Sequence, residues 1–179
     1  MKYENIADIY SANALVRNRF IDVVGNISDD DAAILPEGEN WSIRQIVEHV
    51  SMVEFGVMRI CGKLLAAAKE TGKTSDGSFT LTADFSAKSA DIAGRRVEAP
   101  ERVQPTGEVS IAEAVERMKT TTQGIAALQT DLETCDLSDH KFPHPFFGDL
   151  TAAEWLVMLG GHEARHTHQI ERVLEKVRQ

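Results

Sequence analysis

The 179-residue chain has only two cysteines, Cys61 and Cys135, with no CxxC spacing between them. That argues for reduced, buried thiols rather than a disulfide framework or a zinc knuckle. Positive charge is also scarce: 19 Lys and Arg stand against 28 Asp and Glu, a formal net charge of -9. Such a field repels phosphate backbones and anionic lipid heads, so neither nucleic acid nor a membrane is expected as partner. No run approaches the roughly 18 apolar residues of a membrane span. The start, Met1-Lys2-Tyr3-Glu4-Asn5, lacks the basic opening and apolar stretch of a secretory signal, which predicts a cytoplasmic protein. There is no internal repeat, heptad array or low-complexity tract, and no strand-like alternation, which argues against a mixed sheet.

What the chain does have is enough apolar residue, 42%, to build one continuous core, and a length within the range of one domain, taken as 1–179. Three segments open with a hydroxyl residue followed three positions later by Glu or Gln: Ser42 with Gln45, Ser110 with Glu113, Thr151 with Glu154. Each pair can satisfy free N–H groups at a helix start reciprocally, and each precedes apolar residues at three- and four-residue spacing. Helices are therefore predicted over about 42–70, 110–133 and 151–177. A weaker one over about 4–25 uses Ile6, Tyr10, Phe20 and Val24, with Asn13 interrupting its apolar stripe. Four amphipathic helices bury their faces against one another, so the predicted class is all-α, a four-helix bundle.

The connection between helices 2 and 3, roughly 71–109, is too long for a tight turn. It is read as either partly helical around 83–95 or a functional crossover. The loop before the last helix, Asp139 to Gly148, is rich in aromatics, His and Pro.

The chemistry is carried by histidine. His162 and His166 lie four residues apart, so they project from one face of a helix on successive turns and can converge on one ion. Both fall on the apolar stripe, and His49 occupies the inward stripe of helix 2. Three neutral imidazoles make an open site, because a closed structural zinc site takes four protein ligands. The divalent ion expected there (Zn, Ni or Fe) would lower the pKa of a bound water or thiol and polarise an oxygen substituent.

His162-Glu163-Ala164-Arg165-His166 also spells H-E-x-x-H, the zinc-protease pattern in which the Glu is general base. No histidine follows His168 to serve as the third ligand of common zincins, and no substrate-binding strand is predicted before the helix. Glu163 is kept as a catalytic candidate, with a helix-surface charge as the plainer reading. His168, two positions past His166, points elsewhere and is read as a surface residue. His140 and His144 are read as exposed loop histidines that could approach the open face of the metal. Gly160 and Gly161, costly in a helix interior, predict close packing or a local distortion beside His162.

Three stretches carry a wider likeness: Trp41-Ser42-Ile43-Arg44-Gln45-Ile46-Val47-Glu48-His49; Glu98-Ala99-Pro100 through Pro105-Thr106-Gly107; and Phe147-Gly148-Asp149-Leu150-Thr151 running into His162-Glu163-Ala164-Arg165-His166-Thr167-His168-Gln169-Ile170. In this order they resemble the DinB/YfiT-like superfamily, in its DinB_2-type branch, over nearly the whole chain. The resemblance implies an up-and-down four-helix bundle, with metal held by the helix-2 histidine and the helix-4 pair, here His49, His162 and His166. It also implies a homodimer and a metalloenzyme, since relatives include transferases that use low-molecular-weight thiols such as bacillithiol, mycothiol or glutathione. Three functions are therefore expected candidates. One is metal-dependent S-transfer of a thiol to a small-molecule electrophile, another a hydrolase using metal-bound water, and the third a non-catalytic, metal-stabilised binding protein.

Overall fold

The structure, a computed structural model, describes residues 3–93, 95 and 97–179. The described residues are predominantly helical. Four long helices, α1 (Ile6–Val24), α3 (Ile43–Thr71), α5 (Ile111–Thr134) and α6 (Ala152–Val177), carry the chain, with shorter α2 (Asp29–Ala33) and α4 (Ala83–Ala93) between them. The three expected capping boxes are all formed, with Ser42, Ser110 and Thr151 as N-caps. A fourth, Asn5 with Asp8, starts α1 and escaped the sequence reading because it uses Asn and Asp in place of the Ser/Thr and Glu/Gln pair. α3 stops at Gly72, whose φ of 66° is the left-handed cap that a residue without Cβ adopts at no steric cost.

α1 packs against α6 and α5, and α3 packs against the same two helices from the other side. Two apolar clusters fill the ends of this assembly. One gathers Ile6 and Ile9 of α1, Val57 to Leu65 of α3, Leu132 of α5 and Trp155 to Leu159 of α6. The other gathers Phe20 and Val24, Ile43 to Val50, Met118, and Ile170 with Val173. Buried and half-buried polar residues of α1, α3 and α6 meet as well: Arg17 with Glu54 and Glu163, and His49 with His162 and His166. This buried polar layer is where the candidate site lies.

The long connection after α3 is partly helical, as one of the two readings had it. α4 falls inside the expected window and is followed by a 3-10 turn, Glu101–Val103. It is fastened at both ends. Before it, the backbone N–H and hydroxyl of Thr82 donate to Glu154 (3.0 and 2.6 Å), and Phe85 is buried in the core. At its far end Arg165 of α6 donates to the carbonyls of Ile92 and Arg95 (3.3 and 2.6 Å).

The aromatic loop differs from expectation, since it folds into a small antiparallel hairpin, β1 (Phe142–His144) on β2 (Gly148–Leu150). Strands of three residues are too short to display alternation. What holds them is Phe142 against Trp155, Leu150 in the core and the left-handed Gly148 at the turn, φ 78°. Cys61 is buried as expected, its thiol pushed up to about 12 by burial, whereas Cys135 is only half-buried. No helix of the described residues is long and apolar enough to cross a membrane.

The segment before α3 is tied to the end of α6 by Glu39, which accepts from Lys176 (2.7 Å) and Arg172 (3.2 Å). The bond from Lys176, with Arg172 adding to it, holds the Glu39 carboxyl below its ordinary value of 4.5. A depressed carboxyl contributes stability that is complete above 4.5 and lost as pH falls through the folded-state value. Glu39→Gln is expected to cost about 0.5–1 kcal/mol in urea unfolding at pH 7, with the gap to the parent constant down to 4.5 and closing as the pH is lowered below it. A gap that is constant with pH would exclude the ionic contribution.

Candidate metal centre

α3 and α6 bring His49, His162 and His166 together as the sequence predicts. One nitrogen of each lies within 4.8 Å of the others, and the ring centroids are 4.4–5.1 Å apart. α6 supplies its pair because residues four apart share a face, and the Ser42 cap sets the start of α3 so that His49 arrives two turns in.

The proton positions follow from the neighbours. His49 Nδ1–H donates to the Val103 carbonyl at 2.7 Å, and His166 Nδ1–H donates to Gln169 Oε1 at 2.8 Å. Each of these rings, neutral, therefore turns a bare Nε2 lone pair away from its partner. His49 Nε2 lies 3.1 Å from His162 Nε2, while His162 Nδ1 is buried with no hydrogen-bond partner among the described residues. Two lone pairs at that distance repel unless a proton sits between them or a cation accepts both. A cation also serves His166, whose Nε2 has no proton to share.

The donor set fits a divalent metal. Nitrogens 2.0–2.1 Å from a common ion at tetrahedral angles stand about 3.3 Å apart, and about 2.9 Å apart at right angles, so the 3.1 Å spacing lies within the range of one coordination sphere. Ligand imidazoles must be neutral. Burial, above all, meets that need: it lowers His49, drives His166 down to about 3, and takes His162 well below its usual value, with repulsion from His166 and His49 adding to the last.

A supporting layer keeps the donors in place. Buried Glu48 accepts from the Thr106 hydroxyl (2.8 Å) and the Gly107 N–H (2.7 Å), which anchors the segment carrying the Val103 carbonyl. Trp41 packs on the His49 ring at 4.8 Å. Glu48 and Trp41 fall inside the stretches that carry the family likeness, as does Gln169. Nothing in their spacing announced which would hold a histidine, because each acts through a contact with a residue distant in sequence or through a side-chain rotamer.

The remaining sequence candidates scatter. Glu163 is no surface charge: it is 2% exposed and takes Arg17 Nε and Nη2 on its two oxygens (2.6 and 3.2 Å). Burial pushes its carboxyl up, with Arg17 opposing. Arg17 also pairs with Glu54 of α3, which is fully buried and has, among the described residues, no hydrogen-bond donor besides that guanidinium. The sequence reading missed both Arg17 and Glu54; an Arg and a Glu on otherwise inward stripes were the available signal. His168 is exposed beside Glu171, as expected. His140, in the turn before the hairpin, and His144, against Trp155 and Phe147, are both half-buried rather than exposed. α6 is undistorted at its glycines. Gly160 is there for close packing, since a Cβ would strike Asn13, whose amide donates to the Leu156 carbonyl at 3.0 Å, and Gly161 meets nothing.

Comparison with known proteins agrees with this picture. Over 152 residues the chain is 23% identical to the uncharacterized protein YuaE of Bacillus subtilis (strain 168), covering 84% of this chain and 88% of that one. No solved structure gives a significant match. The sequence pattern of the DinB superfamily (DinB_2) matches residues 12–170, a span that contains α3, most of α6 and all three imidazoles, and the chain belongs to the DinB superfamily.

Proposed function

We propose that the chain is a divalent-metal enzyme in which His49, His162 and His166 are the protein ligands and the activated nucleophile is a low-molecular-weight thiol. The observation that carries the metal is the pinning of two of the three rings by Val103 and Gln169, which leaves their Nε2 atoms as acceptors only. A bound divalent ion supplies Lewis acidity, lowering the pKa of a thiol or water and polarising an oxygen.

The chain's own residues favour the thiol. Activating water for hydrolysis is helped by a general base within hydrogen-bond reach. Glu163, the sequence candidate for that base, has both oxygens engaged by Arg17. A thiol, with an ordinary pKa of about 8.5, is deprotonated outright on coordination and needs no such base. In this reading the four long helices are the family's up-and-down four-helix bundle, the chain is a single domain acting as a cytoplasmic homodimer, and the ion is Zn, Ni or Fe. These finer statements rest on kinship.

The test is turnover of 1-chloro-2,4-dinitrobenzene by protein loaded in turn with zinc, nickel or iron(II), using glutathione, bacillithiol and mycothiol. Metal-dependent loss of thiol, absent from His49→Ala, is the expected result. Metal-dependent ester cleavage without any thiol would replace the reading with a hydrolase. A metal that raises the melting temperature while no substrate turns over would leave a metal-stabilised binding protein.

A further inference from the structure

The hairpin beside the centre holds a histidine that the three-imidazole cluster does not use. His144 Nδ1 accepts the backbone N–H groups of Phe146 (3.1 Å) and Phe147 (3.3 Å). A ring nitrogen that accepts carries no proton, so the neutral ring has its proton on Nε2. The hairpin's own turn thus sets the tautomer. The ring is wedged against Phe147 and Trp155, centroids 4.9 and 5.0 Å away, with Phe146 at 5.8 Å, so its direction is set as well. Among the described residues Nε2–H has no acceptor and it is not one of the buried, unpartnered atoms, so this donor of fixed direction is open to solvent or to a ligand.

The surroundings of that donor point to a ligand. A depression lined by Pro100, Glu101, Arg102, Pro143, His144 and Pro145 opens between the 3-10 turn and the hairpin. The same turn supplies the Val103 carbonyl that orients His49, so the depression begins one residue from the support of the metal centre. On α6, Trp155, which carries the His144 ring, lies seven residues before His162 on the same face, about 10.5 Å along the axis. Arg102 is exposed in the depression's lining and forms no ion pair with any described residue. Burial, with Arg102 adding repulsion, brings the His144 pKa to about 4, so the donor is a neutral imidazole at physiological pH. A neutral donor aimed in advance at an oxygen stabilises charge developing there without reorganising.

We propose that His144 Nε2–H is a preset hydrogen-bond donor for the substrate, taking a carbonyl or carboxylate oxygen of a small molecule held between the hairpin and the three-imidazole centre, with Arg102 facing its negative charge. The inference rests on the metal-centre reading and adds the substrate's recognised group. His144 is here a donor and never a base, because its lone-pair nitrogen is consumed by the turn.

Two substitutions separate this role from a purely structural one. His144→Asn keeps an acceptor where Nδ1 caps the turn but deletes the far N–H, whereas His144→Gln places an amide N–H near the Nε2 position and gives up the cap. Acetohydroxamate, which offers a metal-binding group and a carbonyl oxygen, would be titrated into cobalt(II)-loaded parent and both variants, with cobalt content measured alongside. Binding is expected to weaken about tenfold in His144→Asn and to stay within about threefold of the parent in His144→Gln, with cobalt content equal in all three. Parent-like binding by His144→Asn, the reverse order of the two variants, or no binding by the cobalt-loaded parent overturns the donor role and leaves the metal centre intact. Failure of the parent to take up cobalt overturns both.

Discussion

Replacing His49 with alanine is expected to abolish stoichiometric metal binding in a protein that still folds. Among the described residues His49 is the sole donor that α3 gives the cluster, and without it the pair on α6 is left as a two-nitrogen site on one helix face. The helix itself is held by the Ser42 cap and by an apolar stripe from Ile43 to Leu65, so it does not depend on one imidazole. The supporting layer predicts a graded series below this. Gln169→Leu removes the acceptor that orients His166, and loss of such an outer partner typically weakens metal affinity 10- to 100-fold. Glu48→Gln, which loosens the segment carrying the Val103 carbonyl, is expected to fall in the same range or below it. Elemental analysis of untagged protein and competition with a chromogenic chelator measure the series. Metal content in His49→Ala equal to that of the parent would remove the cluster as the binding site. Equal affinity in Gln169→Leu would remove only the orientation argument.

Arg17→Met is expected to give the largest loss of stability of any single change in the polar layer, about 3–5 kcal/mol in urea unfolding at pH 7. One guanidinium faces two buried carboxylates, Glu54 and Glu163, from two different helices. Removing it leaves both without the only cation that pairs with them among the described residues, and an uncompensated buried charge costs more than the pair contributes by existing. Against a typical total of 5–15 kcal/mol, such a loss is a large fraction of the fold's stability. The same reasoning predicts rescue. In Arg17→Met, changing Glu54 and Glu163 to methionine as well restores most of the lost stability, because the three then pack as apolar groups of similar size. A single-variant loss below about 1 kcal/mol would mean that water reaches the carboxylates and that the layer is not dry. The triad also ties α1, α3 and α6 at the height of the imidazoles, so Arg17→Met should weaken metal binding only in proportion to the loss of fold.

Much of this protein is written locally. The starts of α3, α5 and α6 could be read directly, because a capping box joins residues three apart and needs nothing from the rest of the chain. The pairing of His162 with His166 is also local, a consequence of 3.6 residues per turn. Placing His49 beside them required only the inward stripe of α3 and the expectation that amphipathic helices bury such stripes together.

The rest depended on which helices meet, and at what height. Arg17, Glu54 and Glu163 are ordinary charged residues in the sequence; they become one buried network only where α1 and α3 cross α6. The tautomers of His49 and His166 are set by a carbonyl from a distant 3-10 turn and by a rotamer of Gln169, and hydrogen-bond geometry of that kind leaves no periodic trace. His144 is the sharpest case. In the sequence it is one histidine in a proline-rich loop, whereas in the fold a three-residue hairpin against Trp155 turns it into a donor of set direction. The sequence alone determined the helical class, the helix starts and the three imidazoles, because their signals repeat within a turn of helix. Only the tertiary structure decided which of their nitrogens are free and which carboxylates are committed, because those depend on side-chain contacts that leave no periodic trace, from three positions apart for His166 and Gln169 to 146 for Arg17 and Glu163.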